Sequence, residues 1–137
     1  MRKIIISDSD RRKLEALLTS ERAAGTDSIA RSEALRSELR RAKIIPSDDV
    51  PAGVVTVNST VVLRDLDTDE RETYTLVLPQ NADIAESRLS VLAPVGTAIL
   101  GEHVGDDVHW RVPGGWRRLQ IEKVINPSER DSAILCN

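Results

Sequence analysis

The sequence is poor in aromatic residues and in cysteine. Its 137 residues include no Phe, one Tyr, two Trp and a single cysteine, Cys136. One cysteine forms neither an intramolecular disulfide nor a cysteine-based metal site, which favours a reducing compartment. The shortage of aromatics leaves the core to Leu, Ile, Val and Ala, and removes most of the rings on which single-stranded nucleic acid stacks.

Long apolar runs are also missing. No segment approaches the roughly 20 apolar residues that span a bilayer, and the apolar start at residues 1–6 is too short for a signal peptide. We therefore expect a cytoplasmic protein without membrane contact. The net charge of −3 predicts no attraction to nucleic acid, but residues 1–45 carry 11 basic and 7 acidic residues, and the remainder 8 and 15. This asymmetry indicates two different regions.

The N-terminal region has the pattern of a helical hairpin. Ser7 and Asp10 are spaced as a helix-capping pair, and turn formers at 25–28 separate a helix ending near Thr19 from a second one ending near Ile45. Apolar residues recur three and four apart in both segments, at Leu14, Leu17, Leu18, Ala34, Leu35, Leu39 and Ala42. The pattern predicts a short antiparallel coiled coil, about 20 to 25 Å long.

The C-terminal region has the pattern of a small sheet. Alternating and β-branched residues predict strands around 54–66, 73–78, 90–92, 108–112 and 117–125. Pro94 and Gly101 flank a predicted short helix over 95–100. The fold class is therefore α+β, with an antiparallel sheet and one short helix following the hairpin. The predicted divisions are a hairpin at 1–46, a linker at 47–53, a sheet domain at 54–126 and a frayed tail at 127–137.

Few residues are arranged for catalysis. His103 and His109 lack further ligands at metal-binding spacing, so ordinary surface or rim positions are the simpler interpretation. Gly96 and Gly101 have the spacing of a phosphate loop, but Glu102 stands where that motif requires lysine. We expect no enzyme activity, no metal and no cofactor.

The hairpin offers two candidate sites. Its basic residues include Arg11, Arg12, Lys13, Arg36, Arg40, Arg41 and Lys43. They could bind phosphates or form a solvated face interleaved with glutamates, and both interpretations stay open. At the tip, Glu21 and Asp27 could share a magnesium ion. Arg22 lies between them, however, and a chance pair of acids is the alternative.

Three spaced elements carry a family resemblance. Residues 89–101, then 104–106 and 113–115, resemble the C-terminal domain of the Gre transcript-cleavage factors, which implies an FKBP-like fold for roughly 50–126. The end of the second helix and residues 51–59 are similar to Rnk proteins, regulators of nucleoside diphosphate kinase. The two resemblances cover most of the chain, up to Pro127.

The resemblance implies a partner, RNA polymerase. Gre factors dock at the rim of its secondary channel and insert a long hairpin whose acidic tip helps a magnesium ion cleave RNA. The hairpin predicted here is shorter and lacks a close acidic pair, as in Rnk, so we expect a monomer that docks without stimulating cleavage and meets DNA or RNA only through polymerase. Leu92, Pro94 and Val95 are the candidate contacts, because an apolar loop beside a rigid sheet suits an interface. The alternative is that they are core residues.

Other functions remain open at this point. A Gre-type cleavage stimulator is the nearest alternative. A peptidyl-prolyl isomerase would follow from an FKBP-like fold, but its aromatic pocket is missing, and fold does not determine function. A third alternative is an interaction module that affects nucleotide metabolism indirectly.

Overall fold

The computed structural model describes residues 4–24, 26–112 and 114–126, with the backbone alone for 21–24, 26–31 and 110–112. The helices in these ranges are α1 (Asp8–Ala24), α2 (Thr26–Arg41) and α3 (Pro94–Ile99). The strands are β1 (Ile5–Ser7), β2 (Lys43–Ile45), β3 (Thr60–Asp65), β4 (Arg71–Val77), β5 (Arg88–Ser90), β6 (Asp107–Val112) and β7 (Gly115–Ile125). No helix in the described ranges is long and apolar enough to cross a membrane. The predicted tail at 127–137 lies outside these ranges.

Helices α1 and α2 form the predicted hairpin. Leu14, Leu18 and Leu35 are buried between the two helices and the rest of the protein. The first helix continues five residues beyond Thr19, where the sequence predicted its end, because alanines at 23 and 24 favour helix. Its 17 residues correspond to a length of about 25 Å. Gly25, predicted to break the helical pattern, lies outside the described residues.

A two-stranded parallel ribbon closes the base of the hairpin. Strands β1 and β2 pair with Ile5 opposite Lys43, and the Lys43 N–H donates to the Ile4 carbonyl at 2.8 Å. The prediction that the second helix reaches Ile45 was wrong, because α2 ends at Arg41. The β-branched side chains of Ile44 and Ile45 favour the extended chain.

The second part is a five-stranded sheet in the order β5-β4-β3-β7-β6. All neighbours are antiparallel except β4 and β5, which pair in parallel. The expected purely antiparallel sheet is therefore wrong at one edge, where two short 3₁₀ turns between 79 and 86 carry the chain back to the start of β5. Val61, Leu63 and Ile121 alternate onto the buried face.

Two predicted strands differ from the structure. Residues 54–57 form an extended segment outside the sheet, with one isolated bridge between Val54 and His103, and Val54, Val55 and Val57 are buried. Their valines serve core packing rather than sheet pairing. The strand predicted at 90–92 ends at Ser90, because the chain turns there into α3. Helix α3 begins at Pro94, and the predicted short helix is confirmed.

One apolar cluster joins the hairpin to the sheet. It contains Ile4, Ile6, Leu14, Leu18 and Leu35 together with buried residues of the sheet and α3. Gly101 allows the hairpin base to pack closely against the sheet domain: its φ is +81°, and a Cβ there would lie 2.8 Å from the Cβ of Ile4. The division into hairpin, linker and sheet domain stays a prediction, since the core is shared.

The first turn of α1 binds Ser47 at the start of the linker and Val57 a few residues beyond its end. The Asp10 N–H donates to Ser7 Oγ at 3.0 Å, so the predicted cap is confirmed. The buried Asp10 carboxylate does not reach back to Ser7 but accepts the Val57 N–H at 2.9 Å. Asp8 Oδ1 accepts the Ser47 N–H at 3.1 Å and the Ser47 hydroxyl at 2.9 Å.

Asp10→Ala is expected to lower the free energy of unfolding by about 2 kcal/mol, because it leaves the buried Val57 N–H without its acceptor. Urea denaturation followed by circular dichroism measures this loss. Asp48→Ala, at an exposed position in the linker, is the control and is expected to change stability by less than about 0.5 kcal/mol. Equal effects of the two substitutions would contradict a structural role for the Asp10 carboxylate.

Candidate interaction surface

The loop between β5 and α3 is fixed by backbone hydrogen bonds. The Val91 N–H donates to the Val77 carbonyl at 2.9 Å, and the Ala93 N–H to the Ser90 carbonyl at 3.0 Å. The Leu92 N–H donates to Ser90 Oγ at 3.0 Å. Every N–H from 91 to 93 thus has an acceptor, which gives the loop one defined conformation.

Close packing holds the start of α3 against this loop. The Thr97 hydroxyl donates to the Val91 carbonyl at 2.6 Å. A Cβ on Gly96 would overlap the Ser90 carbonyl oxygen and lie 3.2 Å from Leu76 Cδ1. Gly96, one of the two glycines with phosphate-loop spacing, therefore lies inside α3 and allows the helix to approach the strand.

The three candidate contact residues differ in exposure. Pro94 is exposed at the first position of α3. Leu92 and Val95 are half-buried and pack against the apolar core. The surface interpretation therefore applies to Pro94, and the core interpretation applies in part to Leu92 and Val95. The assignment of the three residues as a contact surface stays a prediction.

The hairpin tip is described by its backbone. Glu21 and Arg22 lie in the last turn of α1, and Asp27 lies in the first turn of α2. The hairpin thus brings the three residues to one end, but their side chains lie outside the described part, and the tip prediction is untested. Among described residues, no group of three or more His, Cys, Asp or Glu side chains is arranged to hold a metal ion.

The basic residues of the hairpin pair mainly within it. Four arginines form ion pairs with acids of the same hairpin: Arg11 with Glu15, Arg12 with Asp8, Arg40 with Glu33, and Arg41 with Glu38. Arg36 is half-buried, and its guanidinium donates to the Leu18 carbonyl at 3.4 Å. These contacts favour the solvated-face interpretation over a phosphate-binding surface.

The two histidines lie in separate environments. His109 is exposed on β6 opposite Arg118. His103 is half-buried in the turn after α3, where Asp106 Oδ2 accepts its backbone N–H at 2.9 Å and lies 3.5 Å from its Nδ1. The expectation of ordinary surface or rim positions therefore agrees with the exposed His109 and the half-buried His103.

Sequence reasoning missed a cluster of acids beside His103. The carboxyl group of Glu102 is half-buried and hydrogen-bonded to Asp106, and Glu38 of α2 lies nearby. Burial, together with Asp106 and Glu38, raises the pKa of Glu102 to about 7, and Arg41 partly opposes this rise. The only local signal was two acids four residues apart, and nothing in the sequence placed α2 beside them.

Comparisons with known proteins agree with these two parts. A family model described as the C-terminal part of the transcription elongation factors GreA/GreB matches residues 50–126, and a model of the Rnk N-terminus matches residues 2–45.

Individual relatives show the same two similarities. The regulator of nucleoside diphosphate kinase from Escherichia coli K12 is 42% identical over 112 residues, which are 82% of this chain and 80% of that protein. The elongation factor GreA from Desulfotalea psychrophila is 37% identical over 95 residues, 69% of this chain but only 59% of that factor. A solved GreA/GreB structure from Nitrosomonas europaea superposes with a TM-score of 0.73 at 37% identity, covering 92% of this chain and all of that one.

Proposed function

Because the chain belongs to the GreA/GreB transcription elongation factor family, we propose that it docks on RNA polymerase at the secondary-channel rim and competes with Gre-type factors without stimulating RNA cleavage. In this proposal it acts as a cytoplasmic monomer and is not an enzyme. The sheet domain is the docking part, with the FKBP-like fold that the resemblance implies. Family membership supports the partner, and the rest depends on the shape of the hairpin.

The length of the hairpin is the observation that carries the proposal. Helix α1 has 17 residues and α2 has 16, so the hairpin extends about 25 Å. The resemblance implies a longer hairpin in cleavage factors, whose tip must reach the active centre. A protein that docks through the same domain with a shorter hairpin would occupy the rim, and its tip would not reach the active centre to assist cleavage.

The fixed loop before α3 is the proposed contact. Pro94 presents an exposed ring on a backbone that is already ordered, so little conformational entropy is lost when it is buried by a partner. Leu92 and Val95 lie beside it and supply half-buried apolar surface. A small apolar contact of this kind, held on a rigid support, suits the centre of a protein interface.

Competition with a Gre factor on core RNA polymerase tests the function. A labelled Gre factor is bound to polymerase, the purified protein is titrated in, and short RNA released from a backtracked complex is scored in the same samples. We expect displacement of the Gre factor with no RNA release from complexes that hold this protein alone. Release of RNA would identify a cleavage stimulator, and absence of displacement would remove the proposed docking.

Pro94→Asp is expected to weaken polymerase binding by at least about tenfold, because it places a charge in the centre of the contact. The apparent Kd from the competition assay measures this change, and circular dichroism confirms folding. Pro51→Asp is the control, an exposed proline in the linker, and should bind like the parent protein. Unchanged affinity of a folded Pro94→Asp variant would overturn the contact assignment.

A further inference from the structure

The turn after α3 forms a junction with the hairpin. Its backbone is fixed on one side, because the Val55 N–H donates to the Glu102 carbonyl at 2.9 Å. The neighbouring Gly101 carbonyl accepts the Ile5 N–H of the hairpin base at 3.1 Å. Glu102 thus directly follows the residue whose carbonyl attaches β1 to the sheet domain.

Charged groups face Glu102 from two elements. From its own turn come Asp106, hydrogen-bonded to it, and His103, whose buried Nδ1 has no hydrogen-bond partner and lies 3.5 Å from Asp106 Oδ2. From α2 come Glu38 and Arg41, which pair with each other at 2.6 Å. The other packed segments, residues 4–6 and 53–55, carry no charged side chain.

We propose that Glu102 and Asp106 share one proton, and that release of this proton loosens the attachment of the helical hairpin to the sheet domain. Two ionised carboxylates only accept hydrogen bonds, so their mutual hydrogen bond requires a proton on one of them. Once it is lost, Glu102 faces the negative charges of Asp106 and Glu38 in a half-buried position. Arg41 compensates only in part, because it is already held by Glu38.

The direction of the pH effect follows from the raised pKa of Glu102. Burial first, and then Asp106 and Glu38, raise the pKa of Glu102 to about 7. Asp106 lies in the same turn and stays beside Glu102 when the hairpin detaches, whereas Glu38 leaves with α2, together with Arg41, whose opposing effect is smaller. The attached state therefore binds the proton more tightly than the detached state, and its stabilisation is lost as the pH rises through 7. The hairpin is held firmly in mild acid and loosely above neutrality.

Hydrogen exchange in the full chain tests the proposal. The Ile5 amide reports the attachment, and the Leu76 amide, which donates to the Ser59 carbonyl at 2.9 Å within the sheet domain, is the internal reference. Between pH 5.5 and 8.5 we expect the protection of Ile5 relative to Leu76, corrected for intrinsic exchange, to fall about tenfold. In Glu102→Gln this ratio should stay constant within about twofold, because the amide does not titrate.

Glu86→Gln is the matched control, since Glu86 is exposed in a distant turn, and it should retain the fall of the parent protein. A carboxyl ¹³C titration of the parent protein supplies a second test that needs no variant. Titration of Glu102 near 7 supports the proposal, and Glu38→Gln should move it to lower pH. A midpoint at the ordinary value for Glu, or the same fall in Glu102→Gln as in the parent, would overturn it. The test is independent of polymerase binding.

Discussion

Gly96→Ala is expected to lower the free energy of unfolding by about 3 kcal/mol, at the upper end of the range for overpacked cores. The added methyl group would overlap the Ser90 carbonyl oxygen and press on Leu76 Cδ1 at 3.2 Å. Neither neighbour has room to move, because the Ser90 carbonyl accepts the Ala93 N–H and Leu76 is fully buried. Denaturation in urea, followed by circular dichroism, measures the loss.

Gly105→Ala separates steric overlap from backbone strain. Gly105 has a φ of +92° and open space around its Cβ position, so alanine there should cost only about 1 to 2 kcal/mol of strain. A loss for Gly96→Ala that is no larger than this would contradict the close packing of α3 on β5.

Leu35→Ala is expected to lower the free energy of unfolding by about 3 kcal/mol, within the range for buried leucines. Leu35 is fully buried in the shared cluster, where α2 meets Leu14 and Leu18 of α1. Helices of this length are marginal on their own in water, so the cavity would weaken the hairpin and its attachment together. Thermal and urea unfolding of the full chain measure the effect.

Leu39→Ala, one turn further along α2, is the matched control. Leu39 is only half-buried, and its truncation should cost about 1 kcal/mol, since less apolar surface returns to water. Leu35→Met, which conserves volume, should cost less than about 1.5 kcal/mol. If truncation at 35 and at 39 cost the same, the deeper burial of Leu35 would not be what stabilises the packing of α2.

The sequence predicted those elements whose signals are local. Ser7 and Asp10 marked the start of α1, and Pro94 marked α3, as the structure shows. Each signal acts within a few residues, through a cap or a fixed φ. The family resemblance, carried by spaced motifs, was confirmed as well.

Contacts between distant segments were not predictable in this way. Strands β1 and β2 are three residues each and pair across the whole hairpin, and β5 pairs in parallel with β4 after an irregular connection. Nothing local distinguishes such short strands from loops. The Asp10 carboxylate illustrates the same limit. The capping pattern suggested a hydrogen bond back to Ser7, whereas the carboxylate accepts one from the Val57 N–H.

The parallel ribbon at the base allows the length of the hairpin to change without a change in the sheet domain. Because β1 and β2 lie side by side, about 4.8 Å apart, the chain leaves and re-enters the sheet domain at nearly one point. Residues inserted in matched numbers into α1 and α2 would move the tip outward by about 10 Å per heptad without altering the docking part. One globular body can thus carry hairpins of different length, and a change in helix length alone would alter how far the tip extends from the sheet domain.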